Sequence, residues 1–381
     1  MLPTETLTPM LEHNPELPYR WSAEKAAKWF EKNGWLVGCN YIPHTAINQL
    51  EMWQEETFDP FLIDKELSWA AGLGFNTVRV FLHDRAYHQD PEGFLLRMDT
   101  FITICHKHSI KPLFVFWDSC WNPYCNTGKQ PDPIPNVHNS GWVQSPGAAF
   151  LLNDQQHHLL EEYILRVVTR FKDDYRLLGW DLFNEPNHKN RGSYNEECKE
   201  AAILSLLQKT VKWVRSVNPV QPLTIGVFEN DWHPNRLNRL NRFMLENSDW
   251  ISFHCYKDAA GMEASIHDLL HYNRPILCTE YMARPVSTFE EALPVLKKYN
   301  VGAYCWGFVA GKTQTYCHWD SWGNTELSSC QLGATTAIDS NRWFHDVLQK
   351  DGTPHDEKEA AFLKKITGKQ SSESIPYELH Y

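Results

Sequence analysis

Short apolar runs rich in β-branched and aromatic residues recur along the chain and are separated by longer segments of mixed polarity. Runs of this length and composition are typical of strands that are buried on both faces. They span residues 35–43, 77–82, 111–118, 177–186, 222–228, 250–256, 274–281 and 302–308. The pattern therefore predicts eight strands.

The intervening segments carry helical signals. Asp59 and Pro60 form a predicted cap and first turn, and apolar residues follow at helical spacing as far as Ala71. Similar stripes occupy 160–171, 203–213, 289–299 and 343–348, and 22–32 predicts a helix ahead of the first strand. Strand and helix thus alternate along most of the chain.

This alternation predicts a single (β/α)8 TIM barrel, with the first helix covering the barrel floor. An open doubly wound sheet is the rival, but "CNYIPH" follows the first strand in place of a glycine-rich phosphate turn. We expect an N-terminal segment and floor helix over 1–34, the barrel over 35–350, and a C-terminal helix and polar tail over 351–381. Long connections, 119–154 and 309–338, follow strands three and eight.

The composition of the chain favours some classes of binding partner over others. The net charge of −11, from 36 basic and 47 acidic residues, disfavours nucleic acid and anionic membranes. The 16 Trp, 15 Tyr and 19 Phe suit core packing and the stacking of sugar rings. No leader is visible, so a cytoplasmic location is expected for the chain as it stands, or a periplasmic or secreted one if a leader was removed. The oligomeric state is not readable from the sequence.

Candidate chemistry lies at the predicted carboxyl ends of the strands, where barrel enzymes place their sites. The residues there are Asn40, Arg79, Asp118, Asn184, Glu185, His254, Tyr256, Glu280 and Trp306. Charged groups at such positions are costly unless they are paired or used. We therefore expect these side chains to form a site in the barrel mouth.

Two of these residues, Glu185 and Glu280, would face each other across the mouth. Such a pair suits hydrolysis of a glycosidic bond with retention, in which a protonated acid assists departure and a carboxylate attacks the anomeric carbon. Arg79 and Tyr256 would keep Glu280 ionised, and Asn184 would bind the sugar 2-hydroxyl. This chemistry needs no cofactor and no metal.

The set formed by Arg79, "NEP" at 184–186, "HCY" at 254–256, Glu280 and Trp306 resembles that of the clan A glycoside hydrolases, family 5 especially. The resemblance spans about residues 35–345. It implies that Glu185 is the acid/base, that Glu280 is the nucleophile and that Trp306 floors the reacting sugar. It also implies cellulase-, mannanase- or xylanase-like polysaccharide degradation.

One position differs from the family 5 pattern, and several candidate residues have a second interpretation. Family 5 enzymes often carry a His at the end of the third strand, where this chain has Trp117 and Asp118. Asp118 and Trp121 are candidates for sugar contacts, and His254 is equally consistent with a core residue. Closely spaced His residues in the helical segments, such as "HDLLH" at 267–271, favour a surface helix over a metal site.

The substrate stays open between gluco-, xylo- and manno-configured chains, and between endo and exo action. An exo-acting furanosidase of the same clan is an alternative. A barrel that binds carbohydrate without catalysis is the alternative from another class. A lyase or aldolase would need a Lys or a metal-binding cluster at the strand ends, and neither is present there.

Overall fold

The computed structural model describes residues 20–189, 196–228, 232–322 and 343–369. Its centre is an eight-stranded sheet in the order β5-β4-β3-β2-β1-β8-β7-β6. The strands are β1 Val37–Asn40, β2 Thr77–Phe81, β3 Lys111–Asp118, β4 Gly179–Asn184, β5 Leu223–Thr224, β6 Ile251–His254, β7 Ile276–Tyr281 and β8 Gly302–Cys305. All neighbouring pairs are parallel. Each strand lies inside one of the eight runs.

The sheet closes on itself between β5 and β6, although β5 is very short. Val227 forms a parallel bridge with Phe253. The Val227 amide donates to the carbonyl of Ser252 at 3.1 Å, and the His254 amide donates to the carbonyl of Val227 at 3.2 Å. These bonds complete the ring, so the predicted (β/α)8 barrel is confirmed and the open doubly wound sheet is excluded.

Helices surround the barrel. They are α1 Ala23–Asn33, α2 Gln49–Trp53, α3 Pro60–Gly72, α4 Asp84–Gln89, α5 Pro91–Lys107, α6 Ala148–Leu151, α7 His157–Phe171, α8 Glu196–Val217, α9 Arg239–Asn247, α10 Ala259–Leu270, α11 Phe289–Lys298 and α12 Glu357–Ile366. Asp59 caps α3 as predicted, because its side chain accepts from the amides of Phe61 and Leu62. Among the described helices, none is long and apolar enough to cross a membrane.

Helix α1 lies against the amino ends of the strands, where the sequence predicts a floor helix. Ser22 caps it, and its buried residues Ala26 and Phe30 join a separate apolar cluster. That cluster also contains Leu36, Leu113, Leu178, Trp250, Leu277 and Tyr304, all at or just before the starts of barrel strands or along β8. The helix therefore closes the end of the barrel opposite the predicted site.

The helix predicted at 343–348 is absent, and this segment is extended. Leu348 bridges to Val309 and to Pro354. The prediction rested on an apolar stripe, but His345 and Asp346 are as buried as the apolar residues around them. A segment buried on every side has no solvent face, so its spacing carried no helical information. The connection predicted at 309–338 lies only partly within the described residues, as does the polar tail.

The floor contact predicts a measurable stability difference. Phe30 is 4% exposed, so Phe30→Ala should lower the free energy of unfolding by about 3–5 kcal/mol, as is usual for a buried Phe. The matched control is Phe61→Ala on α3, where the side chain is 87% exposed and the change should stay within about 0.5 kcal/mol. Urea unfolding of the three proteins gives the comparison, and equal losses in both variants would refute the floor role.

Candidate active site

A buried guanidinium organises the mouth of the barrel. Arg79, at the centre of β2, is fully buried. Its Nε donates to Asp181 at 2.9 Å, Nη1 donates to Asn40 at 2.9 Å and Glu280 at 3.1 Å, and Nη2 donates to Asn184 at 2.8 Å. One side chain thus connects residues from β1, β2, β4 and β7.

The charge of Arg79 is balanced by two buried acids. Its Nη2 lies 2.8 Å from Asp181, and Glu280 completes the pair of acids. Burial opposes the charged guanidinium, yet these two carboxylates outweigh that effect and raise the pKa of Arg79. Asp181 was missed by the sequence analysis, which inspected strand ends only. An acid inside the apolar run "LLGWDLFN" was the available signal, because it requires a buried cation.

Glu280 ends β7 with both carboxylate oxygens bonded. Arg79 donates to Oε1, and the Tyr256 hydroxyl donates to Oε2 at 2.6 Å. Burial raises the pKa of Glu280 to about 7, while Arg79 and Tyr256 oppose that rise and the charge of Asp118 adds to it. The two donors thus favour the ionised form of a carboxylate that burial alone would leave neutral.

Glu185 follows β4 in the left-handed backbone region, with φ of 46°. This conformation is uncommon for a residue other than glycine, and it is held by the Ser119 hydroxyl, which donates to the Glu185 carbonyl at 2.6 Å. His254 Nδ1 lies 2.7 Å from Oε1, and the Cys120 thiol donates to Oε2 at 3.1 Å. The side chain is therefore fixed from two directions.

Glu185, like Glu280, has a raised pKa, and the charge of one acid affects the proton of the other. Burial, and then the charge of Glu280, raise the pKa of Glu185 well above its ordinary value. Burial and the nearby Arg79 lower the pKa of His254 well below its ordinary value, so the imidazole is neutral. Because the two acids repel each other's charge, Glu185 keeps its proton when Glu280 is ionised.

The two carboxyl groups are close together. One oxygen of Glu185, one oxygen of Glu280 and one ring nitrogen of His254 all lie within 4.8 Å of one another. Carboxyl groups about 5–5.5 Å apart accompany retention, whereas inversion needs about 6.5–9.5 Å. The spacing therefore leaves no room for a water molecule between the acids and a sugar.

Several predicted substrate contacts prove to support other side chains. Asp118 is buried, and its carboxylate accepts from Asn184 Nδ2 at 3.0 Å and from Trp142 Nε1 at 2.6 Å. Asn40 Nδ2 donates to the carbonyl of Thr279 at 2.8 Å, in addition to the bond from Arg79 to Oδ1. His254 is also buried and faces the acids. These three residues hold other side chains of the site, and their predicted sugar contacts stay predictions.

The aromatic residues line one side of the mouth. Trp306, just after β8, is partly exposed and meets Phe81 and Trp142 edge-on, with ring centroids 5.8 and 5.7 Å away. Trp121 stacks on Trp322 from the connection after β8, with centroids 5.5 Å apart. Trp306 is thus partly open at the mouth, while Trp121 joins the two long connections to each other.

An eight-stranded barrel with two buried acids at the ends of its fourth and seventh strands has the architecture of a clan A glycoside hydrolase. The sequence profile described as "Cellulase (glycosyl hydrolase family 5)" matches residues 45–325. The chain belongs to glycoside hydrolase family 5.

Its similarity to individual relatives is low. Mannan endo-1,4-beta-mannosidase 5 of Solanum lycopersicum is 25% identical over 221 residues, which cover 53% of this chain and 51% of that protein. Mannan endo-1,4-beta-mannosidase F of Aspergillus clavatus is 26% identical over 158 residues, covering 40% of this chain and 32% of that protein. The chain thus spans about half of the length of the first of these curated relatives and about a third of the second.

A solved structure shares the fold. The exo-beta-1,4-mannosidase Op5Man5 from Opitutaceae bacterium strain TAV5 superimposes with a TM-score of 0.55 and 17% identity. The match covers 87% of this chain and 59% of that one. At this identity the likeness concerns the barrel and not the substrate.

The bond from Tyr256 to Glu280 predicts a shift in pH dependence. Activity, measured as kcat/KM, should rise with pH as Glu280 ionises with a pKa of about 7 and fall as Glu185 loses its proton. Tyr256→Phe removes a donor from the ionised form, so the acidic limb should move to higher pH. We expect about 1–2 pH units, because a hydrogen bond to a charged group is worth ~1.5–3 kcal/mol.

The control is Tyr299→Phe on the outer surface, where the hydroxyl also donates to a carboxylate, that of Glu263. Its pH profile should match that of the unmodified protein. An acidic limb that stays in place for Tyr256→Phe would show that Tyr256 does not govern the ionisation of Glu280.

Proposed function

We propose that the protein is a retaining β-glycoside hydrolase that acts on β-mannosides, with Glu280 as nucleophile and Glu185 as acid/base. The observation that carries the proposal is the contrast between two adjacent buried acids. Arg79 and Tyr256 favour ionisation of Glu280, whereas Glu185 keeps its proton because of burial and the charge of Glu280. A proton donor and an anionic nucleophile are the two groups that this reaction requires.

In the first step a Glu280 oxygen attacks the anomeric carbon and the bond to the leaving oxygen breaks. Glu185 delivers its proton to that oxygen, so the aglycone departs as an alcohol and the sugar remains as an ester of Glu280. In the second step Glu185, now a carboxylate, removes a proton from water while the water oxygen attacks the same carbon. The Glu280 carboxylate is released and Glu185 is protonated again.

Asn184 is oriented for the sugar 2-hydroxyl. Its Oδ1 accepts from Arg79 and its Nδ2 donates to Asp118. The positions of amide oxygen and nitrogen are therefore fixed by two charged partners. An amide nitrogen carries two hydrogens, and the second faces the Cys120 sulfur at 3.6 Å, a weak contact that a sugar hydroxyl would replace. This contact strengthens as charge develops on the ring in the transition state.

The preference for mannosides rests on the relatives. The curated proteins from Solanum lycopersicum and Aspergillus clavatus are both named as mannan endo-1,4-beta-mannosidases. The structural neighbour from Opitutaceae is named as an exo-beta-1,4-mannosidase. A manno-configured sugar is therefore the substrate to test first.

The two long connections support exo action. The Asn139 amide donates to the Thr313 carbonyl at 2.8 Å, and Trp322 Nε1 donates to the His138 carbonyl at 2.6 Å. Gln314 Nε2 donates to the carbonyl of Ile134 at 2.7 Å. These bonds join the two connections into a wall, and its residues Asn139 and Thr313 line a pocket together with Trp306. A wall there leaves little space for further units beyond the terminal sugar.

Variants of the two acids test the mechanism. Glu280→Gln should lower kcat by about 10⁴-fold or more on every substrate, because no ester can form. Glu185→Gln should cost about 10²–10⁴-fold with a poor leaving group. It should still release dinitrophenol from a dinitrophenyl mannoside in a burst, because that leaving group needs no proton. Stopped-flow absorbance and mass spectrometry of the trapped ester provide the measurement.

Glu263→Gln, a change of a surface acid on α10, is the matched control and should keep full activity. Equal losses for Glu185→Gln on both leaving groups would contradict its role as proton donor. Mannooligosaccharide binding without any turnover by the unmodified protein would instead favour the carbohydrate-binding barrel.

The wall predicts the products. Mannohexaose reduced at its reducing end should yield mannose first, and nitrophenyl β-mannoside should be cleaved in preference to the β-glucoside and β-xyloside. Gln314→Ala removes bonds that join the wall, so it should raise the share of internal cleavage. Gln155→Ala, an exposed residue, is the control. Early release of mannobiose and mannotriose by the unmodified protein would overturn exo action and leave the retaining mechanism standing.

A further inference from the structure

A second group of potential ligands includes Glu185 but not Glu280. Cys120 follows β3, and His188 lies in the turn after β4. The thiol of Cys120, a Glu185 oxygen and a ring nitrogen of His188 all lie within 4.8 Å of one another. Cys120 and Glu185 are buried, and His188 is half-buried at the edge of the mouth.

We propose that Cys120, Glu185 and His188 bind a Zn²⁺ ion that inhibits the enzyme by occupying its proton donor. The inhibition rests on the proposed function of Glu185, whereas the binding of the ion does not. Thiolate, imidazole and carboxylate are the three ligand types that zinc accepts, and a water molecule would complete a tetrahedral site. Magnesium and calcium prefer oxygen ligands alone, so this mixed set selects against them.

The backbone holds these ligands in place. The His188 amide donates to the Glu185 carbonyl at 2.9 Å, and the neighbour of Cys120, Ser119, donates to the same carbonyl at 2.6 Å. Buried Lys199 donates to the carbonyls of His188 at 2.6 Å and Ser119 at 3.3 Å. Both ligand-bearing segments are therefore tied to each other. With bonds of about 2.0–2.3 Å to zinc, only small side-chain movements are needed to close the site.

A competing group is less suited to a cation. Glu185, His254 and Glu280 also place ligand atoms within 4.8 Å of one another. However, Arg79 donates to Glu280 from the same cavity, and its positive charge opposes a second cation there. The Cys120 side also offers sulfur, for which zinc has the higher preference. The ion is therefore placed with Cys120.

Binding must release protons. Burial and the adjacent Glu185 raise the pKa of the Cys120 thiol well above its ordinary value, and Glu185 itself is protonated. Asp118 and Glu280 favour a cation nearby, while Arg79 and Lys199 oppose it.

The test is direct binding of Zn²⁺ to the EDTA-treated full chain, by isothermal titration calorimetry, with kcat/KM measured at matched free zinc. One ion per chain and a loss of activity are expected. Cys120→Ser should weaken zinc binding by at least about 10-fold. The activity of this variant, expressed relative to its own rate without zinc, should fall less on addition of zinc than the activity of the unmodified protein. Cys198→Ser, which removes an exposed thiol on α8, is the matched control and should bind as the unmodified protein does.

His188→Ala provides a second variant should Cys120→Ser fail to fold, as judged by circular dichroism. Co²⁺ in place of zinc should give thiolate charge-transfer absorption in the unmodified protein and lose it in Cys120→Ser. Unchanged affinity in both ligand variants would overturn the site. Zinc binding in a protein without glycosidase activity would refute the proposed function alone, and an active protein that binds no zinc would refute the site alone.

Discussion

The placement of one buried positive charge governs the rest of this structure. A guanidinium without water needs anionic and amide partners on all sides, and Arg79 finds them on three other strands. Its bond to Asn184 fixes the residue before Glu185, and its bond to Glu280 fixes that carboxylate directly. The distance between the two acids is therefore a consequence of the barrel interior as much as of the loops around the mouth.

The sequence pattern predicted the fold and the site where the strands are buried on both faces and where their ends could be located. Eight apolar runs predicted eight strands, and the residues at their ends proved to meet in one network. Asp181 escaped because the acid in its apolar run indicates a buried cation without identifying it, and the cation, Arg79, lies two strands away. Cys120 escaped for a similar reason, since a thiol in a loop has no signature until Glu185 is placed beside it. Asp118 was predicted as a sugar contact, but its hydrogen bonds to Asn184 and Trp142 could not be inferred.

The long connections show a second limit. Their length and their aromatic residues indicated that they shape the mouth, but their mutual hydrogen bonds join positions such as Asn139 and Thr313 that are far apart in the chain. The extended segment at 343–348 belongs to the same assembly, packed between other buried residues. Elements that are stabilised by one another, rather than by the barrel, have the weakest periodicity in sequence.

The barrel resists local opening less at the junction between β5 and β6, here called the seam, than at the opposite wall. The two-residue β5 leaves this junction dependent on a few bonds around Val227, whereas β3 and β4 pair along most of their length. Amide protons along the seam should thus exchange with solvent sooner than those of the opposite wall. His254 belongs to that seam and holds Glu185, so each opening event also frees the acid from one of its two restraints. The dynamics of the barrel and the position of the Glu185 carboxyl group are in this way coupled.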